Sequence, residues 1–270
     1  MKIICLGSDT ALGSGFNTNF LIEAGSYSIN GEVASCGRYM ALDCGSTWSQ
    51  AMSYHGYDPR GVGAVFVSHL HADHAGGLEY LGFHSHYKRG IPFGVDRPLL
   101  LSTEDFSRKI WEHLRGGMGM SNDSNNVLET FFCPTRISYG TPFLVDGQEC
   151  WIIPSAHIVG SLGIMPSFSL AIKTDLGNKV LFTGDVQFPK FPFDGLLNHW
   201  KWADVIFQDC EMATYPNSVH AQYGELRSLP EAIKNKMWLV HYGDPNEVSN
   251  DAAVACGFQG FLGGGAVVCY

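Results

Sequence analysis

The sequence predicts one mixed α/β domain whose strands end in polar, histidine-bearing turns. Three observations point there. Short apolar runs rich in β-branched residues recur along the chain, with helical stretches between them. No linker, low-complexity segment or fixed-period repeat divides residues 1–270. The clearest buried strand, Val62 to Val67, runs straight into Ser68-His69, so polar chemistry begins where a strand stops.

The elements follow in order. Ile3 to Leu6 reads as a strand, and Gly7 to Gly15 as a glycine- and serine-rich turn. Asn19 to Ala24 and Tyr39 to Leu42 are further strands, the latter ending at Asp43. After Val62 to Val67, a helix can start between His74 and Leu81. Thr103 to Leu114 is the best helix: Thr103 offers a capping oxygen, and Phe106, Ile110, Trp111 and Leu114 share a face. Gly116 to Asn126 is glycine-rich and polar and reads as a mobile loop. Leu144-Val145, Cys150 to Ile153, Ser169 to Ile172, Lys179 to Phe182, Val205 to Phe207 and Met237 to Val240 read as strands. Helices are expected at Ala221 to Leu229 and Glu247 to Cys256.

Composition narrows the partners. The 270 residues can bury a sizeable core, and 45% hydrophobic with 16% charged residues is an ordinary soluble balance. Thirty-two glycines suggest many tight turns. The net charge is −9, whereas a protein that grips long nucleic acid usually shows a basic face. Lys88-Arg89 and Arg108-Lys109 are only isolated doublets. None of the eight cysteines forms a C-x-x-C pair, which argues against a cysteine zinc site. Runs such as Ile4-Cys5-Leu6 and Val268-Cys269 read as buried thiols in a reducing compartment. Lys2 to Leu6 is too short for a signal-peptide core, and no run reaches the roughly 18 apolar residues of a membrane span. A cytoplasmic protein with no membrane partner is expected.

The decisive segment is Ser68-His69-Leu70-His71-Ala72-Asp73-His74-Ala75-Gly76-Gly77. Three histidines and an aspartate fall within six residues, right after an apolar strand. Buried there, each would cost free energy without a partner. A divalent metal removes that cost, since neutral imidazole and carboxylate are good zinc ligands. His69 and His71 can point one way, while Asp73 and His74 face a second position.

The segment matches H-x-H-x-D-H, and the chain thereby resembles the metallo-β-lactamase superfamily. The resemblance extends through Leu42-Asp43-Cys44-Gly45, Pro154-Ser155-Ala156-His157, Leu181-Phe182-Thr183-Gly184-Asp185 and Trp238-Leu239-Val240-His241, in the family's order over about residues 1 to 245. It implies a four-layer αββα sandwich of the metallo-β-lactamase fold, with the site at one edge of its two sheets. It implies two divalent ions, zinc by default with manganese as a substitute. His69, His71 and His157 would bind the first, and Asp73, His74 and His241 the second. Asp185 would bridge them, and Asp43 would orient a ligand histidine.

Two such ions can lower the pKa of a shared water and offset charge on a substrate oxygen. Asp185 as bridge and His241 as last ligand resemble the phosphodiesterase branch. Asp209-Cys210-Glu211 follows the strand Val205-Ile206-Phe207, and His220-Ala221 opens a helix ten residues on. In ribonuclease Z and its relatives such an acidic residue pairs with such a histidine, which protonates the leaving oxygen. Asp209 and His220 are similar to that pair, with Glu211 able to replace Asp209. With Asp73 they are the catalytic candidates.

Ribonuclease Z carries a tRNA-gripping arm between the third histidine and the bridging aspartate. Here only 27 residues separate His157 from Asp185. The arm is missing, so a small phosphodiester fits better than tRNA. Val219-His220-Ala221-x-Tyr223-x-Glu225-Leu226 and Trp238-Leu239-x-His241-Tyr242-Gly243 carry a finer resemblance, to phage anti-Pycsar phosphodiesterases. That resemblance implies hydrolysis of 3′,5′-cyclic nucleotide signals in immune evasion, a homodimer, and the host cytoplasm for a phage-encoded chain. The segment from about Leu101 to Thr135 would be a lid or dimerisation insertion. The alternatives are a ribonuclease Z-like RNA endonuclease, another ester hydrolase acting on a thioester or lactone, and a nucleotide-binding module without activity. His55, His84, His86, His113 and His199 fit no motif, and His84-x-His86 reads as surface loop. Trp48, Tyr54, Trp111 and Tyr215 read as core or rim packing.

Overall fold

Two large sheets lie face to face over a shared aromatic core, with helices on their outer sides. The computed structural model describes residues 1–87, 97–121, 124–161, 163–189, 195–213, 219–243 and 248–270. The Lys88-Arg89 doublet, Tyr215 and the expected helix start at Glu247 lie outside the described residues.

Among the described residues the first sheet has seven strands. In spatial order they are Cys133–Pro134, Leu99–Leu101, Val62–Phe66, Tyr39–Leu42, Asn19–Glu23, Lys2–Gly7 and Val267–Cys269. Among the same described residues the second has nine: Gly260–Phe261, Met237–Val240, Val205–Asp209, Lys179–Phe182, Ser167–Lys173, Gln148–Ser155, Phe143–Val145, Ser26–Ile29 and Glu32–Ser35. The αββα arrangement expected from the sequence is present.

Alternation along the second sheet shows how both its faces are buried. Phe182, Phe207 and Val240 join the core between the sheets, while Leu181, Ile206 and Leu239 join a second, outer core. Trp200 of helix Gly195–Trp202, Leu226 of Tyr223–Arg227, Ile233 of Glu231–Lys234 and Ala253 of Asn250–Ala255 complete that outer core. Between the sheets, the Phe20 ring meets Phe182 and Phe207 with centroids 5.3 and 5.2 Å away, and those two stack at 4.5 Å. Such rings bury about 150–250 Å² each, so this contact is a large part of what joins the layers here.

Helix Glu104–Met118 begins as its sequence implies. The Thr103 hydroxyl accepts from the Phe106 amide at 3.3 Å, and Glu104 and Asp105 lie in the positive first turn. Phe106, Ile110, Leu114 and Met118 are buried along one face, while Trp111 is only partly buried. The helix runs on through Gly116-Gly117, because burying Met118 outweighs glycine's poor helix propensity. Met120–Ser121 and Ser124–Asn125 then pair as a hairpin, where a mobile loop was expected.

Other expectations are corrected too. The helix expected over His74 to Leu81 is two, Ala72–Ala75 and Leu78–Tyr87. They part at Gly76-Gly77, where a Cβ on Gly77 would sit 2.6 Å from the Gly45 carbonyl oxygen. The second of them carries His84 and His86, which are therefore helical rather than in a loop. The hairpin Ser26–Ile29 with Glu32–Ser35 was not expected from the sequence. Its Asn30-Gly31 corner has φ of +52° and +84°, the pattern of a type I′ turn. All eight cysteines are free, and Cys269 is exposed rather than buried. Trp48 is core, whereas Tyr54 is exposed. Among the described residues no helix is long and apolar enough to cross a membrane.

Phe207→Ala removes the ring that both Phe20 and Phe182 pack against, and should cost about 3–5 kcal/mol of stability. Urea unfolding followed by circular dichroism measures it; a cost under about 1 kcal/mol would contradict this account of the inter-sheet core.

Candidate metal centre

The parallel strands of both sheets deliver polar groups to one edge of the sandwich. In the first sheet Tyr39–Leu42 and Val62–Phe66 run parallel and end at Asp43 and Ser68-His69. In the second, Lys179–Phe182, Val205–Asp209 and Met237–Val240 run parallel and end at Thr183-Gly184-Asp185, Asp209 and His241. His157 follows the strand Gln148–Ser155. Gly184 has φ of +57°, and a Cβ there would lie 2.8 Å from that of Ser68. Only glycine lets the two sheets approach this closely at the site.

Ser68 organises the first group. Its hydroxyl donates to Asp43 Oδ2 at 2.8 Å, so it accepts from His69 Nδ1 at 3.0 Å. His157 Nδ1 donates to the Val219 carbonyl at 2.7 Å. Assigned from these partners, both rings carry their proton on Nδ1 and a lone pair on Nε2. Those Nε2 atoms converge on His71 Nδ1, 2.9 Å from His69 and 3.2 Å from His157. A single proton on His71 can satisfy only one of them. Asp185 Oδ2 lies 3.6 Å from His69 Nε2 and 3.7 Å from His157 Nε2. Burial holds all three imidazoles below their ordinary pKa, hence neutral. Converging imidazole lone pairs beside a carboxylate are the donor set of a zinc-type cation, so the residues fit a bound divalent metal.

The second group is richer in carboxylates. Asp43 Oδ2 also accepts from His74 Nδ1 at 2.7 Å, and Asp43 Oδ1 accepts from the Ser68 amide at 2.6 Å. The other His74 nitrogen, Nε2, then faces Asp185 Oδ1 at 3.2 Å and Asp73 Oδ2 at 3.4 Å. His241 repeats the pattern: Nδ1 is 3.2 Å from Asp209 Oδ1, and Nε2 is 3.2 Å from Asp73 Oδ2. Burial opposes charge on these two rings, but Asp185 and the paired carboxylates outweigh it. His74 is raised well above the ordinary range and His241 is pushed up to about 10. Burial also opposes charge on Asp73, yet hydrogen bonds from His241 and His74 keep its carboxyl below the usual range. Asp43 and His241 both adopt left-handed backbone, at φ of +61° and +58°. That conformation costs most residues roughly 1–2 kcal/mol, and aspartate less.

His220 stands beside both groups. Its Nδ1 is 2.9 Å from Asp209 Oδ2 and 3.7 Å from Asp185 Oδ2. Its ring lies 4.9 Å from those of His157 and His241. Burial opposes the imidazolium, but Asp209 and then Asp185 raise its pKa above the ordinary value. Asp209 Oδ2 also accepts the Val186 amide at 2.9 Å.

All nine residues singled out for metal binding or catalysis thus gather here. Among the described residues three clusters have potential ligand atoms mutually within 4.8 Å: His69, His71, His157 and Asp185; Asp73, His74 and His241; and Asp185, Asp209, His220 and His241. Sequence reasoning missed Ser68 and the Val219 carbonyl. Ser68 had a usable signal, its place between a buried strand and the first histidine. Val219 acts through its backbone, which no side chain announces. It also missed the second contact of Asp209, to His241. The other histidines lie elsewhere: His55 meets the Leu6 carbonyl at 3.0 Å, and His84 stacks on Tyr80.

A sequence model of the family described as anti-Pycsar protein Apyc1 matches residues 1–268. The chain belongs to that family. The anti-Pycsar protein Apyc1 of Paenibacillus harenae is 31% identical over 246 residues, covering 90% of each chain. Among solved structures, a diphosphatase of the PhnP family superposes with a TM-score of 0.69 at 17% identity, over 100% of this chain and 97% of that one. The metallo-β-lactamase fold protein YhfI of Bacillus subtilis gives a TM-score of 0.67 at 16% identity, over 99% and 98%. The fold is therefore that of the metallo-β-lactamases.

Because His74 and His241 hold protons above their ordinary range, a cation must displace them to bind there. Affinity at Asp73, His74 and His241 should rise with pH toward the raised values and fall as pH drops. Calorimetric Zn²⁺ titrations in buffers of different ionisation heat should show proton release in one binding step. Equal heats in all buffers would contradict it.

Proposed function

We propose that this protein is a metal-dependent phosphodiesterase that opens 3′,5′-cyclic nucleotides to monophosphates. The observation that carries the reading is the Asp209–His220 pair, set beside Asp185 and against the rings of His157 and His241. Alkoxide leaves phosphorus poorly unless it receives a proton, so a phosphodiesterase needs a general acid beside its metal centre. Membership of a family named for countering Pycsar supports a signalling nucleotide, and the net charge of −9 disfavours long RNA.

In this reading His69, His71 and His157 would hold one divalent ion, and Asp73, His74 and His241 a second, with Asp185 available to both. Zinc suits the imidazoles and Mn²⁺ can replace it. When bound, the ions supply Lewis acidity and bring the pKa of water near neutrality. The chain supplies the rest. Asp43 and Ser68 aim His74 and His69 inward. The Val219 carbonyl fixes the tautomer of His157. Asp209 occupies Nδ1 of His220, which leaves Nε2 to face substrate. The carboxylate also raises the pKa of that ring against the opposing effect of burial, which favours its protonated form. Water forms a bond to phosphorus and gives up one proton to solvent, the P–O bond to the leaving oxygen breaks, and the Nε2 proton passes to that oxygen; solvent then reprotonates His220. On the resemblance, the protein acts in the cytoplasm as a homodimer. The segment over 101–135, which leaves Met120 and Val127 exposed, serves as lid or dimer element.

The test is to incubate Zn²⁺- or Mn²⁺-loaded protein with 3′,5′-cyclic mononucleotides, cyclic dinucleotides and a tRNA precursor. An Asp73→Ala/His74→Ala variant is the control, and chromatography reads the products. Cleavage of cyclic nucleotides that the control lacks supports the reading. Cleavage of the tRNA alone moves the protein to the ribonuclease branch, and silence on every substrate removes the reading.

His220→Ala should lower kcat about 10²–10⁴-fold on the cyclic nucleotide. Asp209→Asn removes the charge that raises the His220 pKa, so the alkaline fall of the rate should move to lower pH. An unchanged pH–rate profile in Asp209→Asn would remove His220 as the acid.

A further inference from the structure

We infer that Tyr242, with Ser8, is a positioning residue for the metal centre: it clamps the end of one sheet to the other and holds His241 in the backbone shape that turns its ring inward. The inference rests on the reading of His241 as a metal ligand.

The chain reverses sharply here. His241 has φ of +58° and Gly243 has φ of +62°, with Tyr242 between them. Glycine adopts this conformation freely, but histidine does not. A strained residue persists only where its surroundings over-determine it. The surroundings are Tyr242's. Its amide donates to the Ser8 carbonyl at 3.2 Å. The Ser8 hydroxyl donates to the Tyr242 hydroxyl at 3.0 Å, which donates onward to the Leu262 carbonyl at 3.3 Å. Its ring packs on Phe261 with centroids 4.8 Å apart. Ser8 directly follows Lys2–Gly7 of the first sheet, and Tyr242 lies just past Met237–Val240 of the second. The contact therefore bridges the two sheets beside the centre. One residue earlier, the His241 ring divides itself between Asp209 and Asp73. Rotating the backbone out of the left-handed region would break both contacts together. The phenol touches neither Asp73 nor Asp209, so it acts through His241 alone.

The test compares Tyr242→Phe and Ser8→Ala with His241→Ala and with a control, Tyr27→Phe. Tyr27 also loses a buried hydroxyl bond, to the Ala24 carbonyl, but on the strand Ser26–Ile29 at the other side of the second sheet. Each folded variant is titrated with Zn²⁺ against a chromophoric chelator, and the visible spectrum of its Co²⁺ form is recorded. Tyr242→Phe should weaken one binding step about 10–100-fold and shift the Co²⁺ bands. Ser8→Ala should do so less strongly, and carries the test if Tyr242→Phe does not fold. Tyr27→Phe should leave both readouts at wild type. Wild-type affinity and spectrum in both Tyr242→Phe and Ser8→Ala, with His241→Ala losing one metal, overturn the clamp alone. Two metals bound normally by His241→Ala overturn the ligand reading and the clamp with it.

Discussion

Asp185 lies within 3.7 Å of imidazole nitrogens from five histidines: His69, His74, His157, His220 and His241. It is 2% exposed. A buried carboxylate costs several kcal/mol unless opposite charge and hydrogen bonds compensate it. The local architecture is arranged around that compensation. The groups on one side are neutral imidazoles with lone pairs turned inward; on the other they are imidazoles whose pKa is raised by neighbouring carboxylates. Lone pairs on the first side face one another, and carboxylates crowd the imidazoles of the second. A divalent ion on each side would relieve both conditions at once.

Neither sheet can build this arrangement alone. Asp43, Ser68, His69, His71, Asp73 and His74 come from the first sheet and the turn after it, while His157, Asp185, Asp209 and His241 come from the second. Their strands end at one edge because Phe20, Phe182 and Phe207 fix the sheets against each other just beneath. The remaining adjustment is made in the backbone. Gly184 allows close approach, while Asp43 and His241 accept left-handed φ to turn their side chains inward. Strain at those two residues is what a packed, hydrogen-bonded edge can hold in place.

Much of this was legible in the sequence because His69, Asp185, Asp209 and His241 sit at or just past the ends of apolar strands. The His69 to His74 turn stands out by density alone, and the later motifs follow strands whose β-branched character is plain. The αββα fold was implied by the family resemblance that those motifs carry. What escaped notice did so for physical reasons. The strands around Asn30-Gly31 carry Ser26, Ser28, Glu32 and Ser35, so their apolar alternation is weak although the turn itself is a strong hairpin signal. Helix Glu104–Met118 outran its glycines because tertiary burial of Met118 overrides local propensity. The Val219 carbonyl and the left-handed His241 are backbone facts, which depend on where the chain has been brought rather than on which side chain it bears.

Asp209 shows why position in the fold matters more than the identity of a pair. One of its oxygens holds His220 and the Val186 amide, while the other lies against His241. The Val186 amide follows Asp185 directly, and the Asp209 amide donates back to the Thr183 hydroxyl at 3.0 Å. The proposed acid, a proposed ligand and the turn bearing Asp185 are therefore indexed to a single carboxylate. A proton on His220 and a cation at His241 both place positive charge against it, so each weakens the field available to the other. Loading the Asp73, His74 and His241 group should thus oppose the effect of Asp209 on His220 and lower the pKa that the carboxylate raises.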